Sequence, residues 1–195
     1  MITLKRFHLI KINEFPDEFK TGYRQLQLLH RPKDGGLNFP QRKSVKITTN
    51  GVSEWNRAVE KLKVILEQNP SHRIYACVNE RDMSKGIREF KRLQLDADYD
   101  TEELKHGFYQ DIDNRFFSCL AQPKAAKDVK FLLDCDAGTN MSVLDEFVSG
   151  HMIDGYSYGT KNGMHYITKP FNPKLLDGSG ITIHRDGLLL VGWCE

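Results

Sequence analysis

Lys130-Phe-Leu-Leu-Asp134-Cys-Asp136-Ala-Gly138 is the stretch with the plainest chemical content. Side chains alternate across an extended strand, so Asp134 and Asp136, two apart, leave on one face within reach of one cation. Paired carboxylates are hard oxygen ligands that suit magnesium or manganese. Spacing alone does not single them out, because Asp96-Ala-Asp98, Asp98-Tyr-Asp100 and Asp111-Ile-Asp113 share it. The apolar run ahead of them does. The end of a buried strand is a costly place for two ionised carboxylates unless a metal or a partner balances them. Structural capping is the alternative role for the pair. The Asp96–Asp100 run lacks the glycine and distal glutamate of a calcium loop and reads as solvated surface.

A second group is Tyr158-Gly-Thr160-Lys161-Asn162-Gly163-Met-His165, with Lys169-Pro170-Phe171 behind it. Asn162-Gly163 predicts a tight turn whose backbone N–H groups can approach a phosphate, and Thr160, Lys161, His165 and Lys169 add donors around it. His165 then leads out along a strand with Ile167 on its face. The third group is Ile181-Thr-Ile-His184-Arg185-Asp186-Gly187-Leu. Asp-Gly on its own makes a hairpin turn and needs no chemistry. If this strand lies beside the one bearing Asp134 and Asp136, three carboxylates would hold two cations about 4 Å apart. That arrangement stabilises the attacking and leaving oxygens of phosphoryl transfer.

These side chains need a scaffold, and the hydrophobic periodicity predicts one. β-like runs at Ile2–Ile12 and Val45–Thr49 flank a first quarter broken by Pro16, Pro32, Gly35-Gly36 and Pro40. Ser53 predicts an N-cap for a helix that carries Trp55, Ala58, Val59, Leu62, Ile65 and Leu66 and stops at Asn69-Pro70. Arg73–Val78 reads as a buried strand and Ser84–Leu95 as a helix, together a βα unit. Asp96 to Asp113 is weakly patterned and reads as a loop, followed by helix in Arg115–Leu120. Val129–Leu133 predicts a strand and Ser142–Val148 a helix. Gly155–Thr160 with Met164–Thr168 predicts one hairpin, and Ile181–His184 with Leu188–Val191 a second across Arg185-Asp186-Gly187. This order predicts an α+β chain: an RRM-like, mainly antiparallel sheet with helices on one face over 129–195, preceded by an N-terminal α/β part over 1–128.

At 195 residues the chain has the length of one large domain or two small ones. A net charge of +2 does not announce a nucleic-acid binder, but the charge is polarised. Residues 1–50 carry 10 basic and 4 acidic side chains, and residues 101–150 carry 5 and 9. One basic surface for a polyanion and one acidic surface for divalent cations would produce that split, as would two solvated faces. Cys77, Cys119, Cys135 and Cys194 form no Cys-x-x-Cys pair and read as reduced, buried thiols. No membrane-length apolar run or signal-type N-terminus is present, so the expectation is a cytoplasmic protein with no membrane partner.

Taken in order, Asp-x-Asp after a strand, Asn-Gly-x-His with Lys-Pro-Phe behind it, and an Asp ending a late strand resemble the archaeo-eukaryotic primase superfamily, the primase-polymerases of the small phage and plasmid kind. The resemblance runs from Lys130 to Val191 and implies template-directed polymerisation of nucleoside triphosphates. It implies two magnesium or manganese ions on Asp134, Asp136 and Asp186, with Asp177 as the alternative third acid. It implies that His165, with Thr160, Lys161, Asn162 and Gly163, grips the triphosphate. Arg73 and Arg81 resemble the family's strand-to-loop segment near template or triphosphate. Lys5, Arg6, Lys11, Arg24, Arg31, Lys33, Arg42, Lys43 and Lys46 would bind a single-stranded template, with a replicative helicase as a further candidate partner. A metal-dependent nuclease and a catalytically silent nucleic-acid-binding module are the rival readings.

Overall fold

In the computed structural model residues 9–30, 45–99, 101–136, 138–139, 141–151 and 154–195 are described. They form an α+β fold of two antiparallel sheets. In chain order the strands and helices are β1 (Ile10–Ile12), β2 (Tyr23–His30), β3 (Lys46–Asn50), α1 (Val52–Gln68), β4 (His72–Cys77), β5 (Glu80–Arg81), α2 (Met83–Asp98), α3 (Glu102–Gln110) and α4 (Ile112–Ala121). Then follow β6 (Ala126–Asp128), β7 (Phe131–Asp136), α5 (Met141–His151), β8 (Gly155–Gly159), β9 (Gly163–Thr168), β10 (Thr182–His184) and β11 (Leu188–Cys194).

The first sheet runs β1-β11-β4-β2-β5-β6, with β3 also paired to β2. Its strands alternate, so Leu26 and Leu28 of β2, Ile74 and Ala76 of β4 and Leu189 of β11 point to α1. There they bury Trp55, Ala58, Val59, Leu62 and Leu66, the stripe that helical spacing predicts. The helix starts one residue ahead of Ser53: Gly51 is its N-cap, at φ 99°, and the Gly51 carbonyl accepts the Trp55 N–H at 3.0 Å. β2 was legible only as part of a β-rich or irregular first quarter. The Ile2–His8 portion of the first predicted strand lies outside the described residues.

The second sheet has the order β10-β7-β9-β8. Numbered within this unit, that is 4-1-3-2, the order of the split β-α-β arrangement expected of an RRM-like sheet. The 3-10 turn Pro173–Leu176 stands where a second helix would cross. α5 covers one face through Leu144 and Phe147, which pack with Leu133, Cys135 and Tyr166. The other face sets Leu132, Tyr158 and Ile167 into the same core as Tyr75 and Leu190 of the first sheet. The two sheets therefore share a core.

Two expectations are corrected. Ile181–His184 and Leu188–Val191 do not form a hairpin: β10 pairs with β7, while β11 pairs with β4 and β1 in the other sheet. Arg185-Asp186-Gly187 is thus a link between sheets, and the second half of the chain does not close on itself at residue 129. A Cβ on Gly187 would stand 2.7 Å from Leu132 Cδ2, so the link is pressed against β7. The span Asp96–Asp113 is also not a loop. It continues α2 to Asp98 and contains α3, whose Phe108 stacks on Phe90 at 6.0 Å between centroids. No helix among the described residues is long and apolar enough to cross a membrane.

Candidate active site

The β7 strand is buried along Phe131, Leu132 and Leu133 and opens at Asp134 and Asp136. These acids lie within the strand rather than past its end, because β9 pairs with β7 as far as Asp136↔Gly163. Gly163 permits that pairing: a Cβ there would lie 2.1 Å from the Cys135 carbonyl oxygen. The turn before it has Lys161 and Asn162 at its centre, closed by the Thr160 N–H donating to the Gly163 carbonyl at 2.9 Å. Between the acids, Cys135 points to the α5 side, where burial, helped by Asp134 and Asp136, pushes its thiol up to about 11.

His165 sits across from Asp134 in the β7–β9 register and across from Tyr158 in the β8–β9 register. Its Nε2 lies 3.1 Å from Asp134 Oδ1 and its Nδ1 2.7 Å from the Tyr158 hydroxyl. That hydroxyl accepts the Leu190 N–H at 3.1 Å. Burial raises the Tyr158 pKa well above its ordinary value, so the phenol keeps its proton. The network is satisfied when that proton is donated to Nδ1 and the Nε2–H points to Asp134. Tyr158 was missed as a site residue, although counting back from Lys161-Asn162 along a two-residue hairpin places it opposite His165.

Asp134, Asp136, Thr160, Asn162, His165, Arg73, Tyr75, His184 and Asp186 line one cleft of ≈ 390 Å³ between the sheets. Leu132, Leu188 and Leu190 form its apolar part. Arg73 is 5% exposed, a guanidinium sunk at the edge of the cleft rather than a surface arginine. Lys161 is exposed and does not line the cleft. Lys169 leaves β9 at the end away from the turn, six residues or about 20 Å along the strand, so it is not among the donors there. Asp177 is exposed after the 3-10 turn and is likewise not a cleft residue.

Asp186 reaches the cleft but is committed elsewhere. Arg81 donates to both of its oxygens, Nη1 to Oδ2 and Nη2 to Oδ1, each at 2.9 Å. Asn79 Nδ2 donates to Oδ1 at 2.9 Å. Asn79, fully buried, also accepts the Lys130 N–H at 2.6 Å and so ties the inter-sheet link to the start of β7. The donor set therefore fits one divalent ion on Asp134 and Asp136. A second ion on Asp186 would have to compete with Arg81 and Asn79 for oxygens that already accept three hydrogen bonds. Among the described residues no three His, Cys, Asp or Glu side chains gather into a cage.

Of the basic residues expected to hold a template, Arg24 is corrected. It is 2% exposed and donates to the carbonyls of Val78, Thr21 and Glu18, a structural tie, and burial lowers its pKa. Lys11 lies 3.7 Å from Glu195. Lys5, Arg6, Arg31, Lys33, Arg42 and Lys43 lie outside the described residues. Comparison with family models, curated proteins and solved structures finds no match to this chain.

Proposed function

We propose that the chain is a divalent-metal-dependent nucleotidyltransferase that joins nucleoside triphosphates along a nucleic-acid template, as primase-polymerases do. The observation that carries this reading is the meeting of Asp134, Asp136, His165, Asn162 and Arg73, from separate stretches of sequence, around one cleft. Asp134 and Asp136 would hold magnesium or manganese, cations that commonly take one or two carboxylates and complete their shell with water and substrate phosphates. Such an ion, when bound, activates the attacking hydroxyl and neutralises charge on the transferring phosphate. Arg73 adds a fixed positive charge at the cleft, and Thr160 and Asn162 add neutral donors at its mouth. His165, braced by Tyr158, orients the Asp134 carboxylate through its Nε2.

Templated incorporation of triphosphates in manganese tests this. Asp134→Asn and Asp136→Asn are each expected to lower the rate at least 100-fold and to weaken manganese binding read by electron paramagnetic resonance. Wild-type activity equal to that of either variant would overturn the reading. Degradation of primed template without triphosphates would mark a nuclease instead. The pairing of Asp134 with His165 and of Asp186 with Arg81 favours a second reading, a nucleic-acid-binding module without catalysis. Nucleic-acid binding that persists with no manganese site would identify it.

A further inference from the structure

A second cavity of ≈ 260 Å³ adjoins the cleft, and Asp186 and Leu188 line both. It lies against the same face of the first sheet: Tyr75 borders the cleft, and Cys77, two residues along β4, borders the second cavity. Two strand residues span roughly 7 Å, a distance that one extended sugar–phosphate unit covers. At ~30 Å³ per water-sized occupant the cavity takes about nine heavy atoms, the size of one nucleobase.

The lining is built for such a ring. Gln25 and Gln27 of β2 bring two amides, the side-chain type that pairs with base edges. Gln25 is 8% exposed, and its Nε2 donates to the Phe117 carbonyl at 2.9 Å, which fixes α4 and the Phe117 ring at the rim. Lys46 stands 5.8 Å from the centroid of that ring, so an aromatic face and a cation border one opening. Arg81, 3% exposed, lines this cavity and not the cleft, and its buried Nε has no hydrogen-bond partner among the described residues. A free phosphate would leave Phe117 and Leu188 unused, and an apolar ligand would leave the Gln27 amide unpaired.

Resting on the reading of the cleft as a phosphoryl-transfer site, we propose that this second cavity seats the base of the nucleotide next to the reacting phosphate in a single strand. The test measures fluorescence anisotropy of a short single-stranded oligodeoxynucleotide and of an abasic strand of equal length, without triphosphate or metal. Wild type is expected to prefer the base-bearing strand about tenfold. Phe117→Leu and Gln27→Ala are each expected to lose most of that preference while binding the abasic strand as wild type does. Lys61→Ala, in the opposite-face hollow beside α1, is expected to change neither. Equal wild-type affinity for both strands, or an unchanged preference in both cavity variants, would overturn the proposal. Because no catalysis enters the measurement, an inactive protein that keeps the base preference would refute the catalytic reading and leave the cavity's ligand in place.

Discussion

Arg81 carries its charge to a position where solvent reaches almost none of it, and Asp186 answers with both oxygens. Removing one partner of such a pair leaves the other charge buried and uncompensated. Asp186→Ala is therefore expected to destabilise the fold by about 3 kcal/mol, read as a lowered denaturation midpoint at unchanged slope. The double variant Arg81→Met/Asp186→Leu is expected to recover much of that loss. Manganese affinity of Asp186→Ala within threefold of wild type would accompany the one-ion geometry; loss of the ion would return Asp186 to the ligand set. The acidic pair on β7 was readable from sequence because a period of two needs no knowledge of the rest of the fold. Asp186 was not, since its partners Arg81 and Asn79 lie over a hundred residues away and nothing local to Asp-Gly distinguishes a turn from an ion pair.

The β7–β9 ladder keeps the acids and His165 in register, and it depends on close backbone approach at Gly163. Gly163→Ala is expected to cost about 1–3 kcal/mol and to abolish manganese binding, because the added methyl meets the Cys135 carbonyl and must displace β7 beside Asp136. Thermal unfolding and manganese titration check both effects, and an unaffected ion site would show that the ladder tolerates the shift. Elements with strong local signals were legible: α1 by its apolar stripe, β8 and β9 by the turn between them. Those settled by distant partners were not. Ile181–His184 and Leu188–Val191 have a hairpin's pattern and spacing, yet each finds a longer partner strand in a different sheet. α3 has one buried ring, Phe108, and its place is fixed by α2 and α4 rather than by its own periodicity.

Across the whole molecule the two sheets share one core, and the far edge of that core has a pH-sensitive contact. His72 faces His30 across β4 and β2, with ring centroids 5.2 Å apart. Burial, then the neighbouring His30 charge, hold His72 below its usual pKa, against the hydrogen bond to Asn69 that works the other way. The unfolded chain therefore binds the proton more readily, and this contribution is intact above about pH 6.5 and is lost as pH falls through that value. Between about pH 7.5 and 5.5 the unfolding temperature of His72→Gln is expected to drop less than that of wild type; an identical drop would remove His72 from the account. The three-residue link Arg185-Asp186-Gly187 sets a further limit on the assembly. Fully extended, three residues reach only about 10 Å, so the sheets cannot separate at that end by sliding apart. A second crossing, Val129-Lys130 between β6 and β7, is shorter still, so the two sheets are tied at both places. On the function proposed above, a polynucleotide would therefore reach the cleft from the side away from these two short links, without the sheets coming apart.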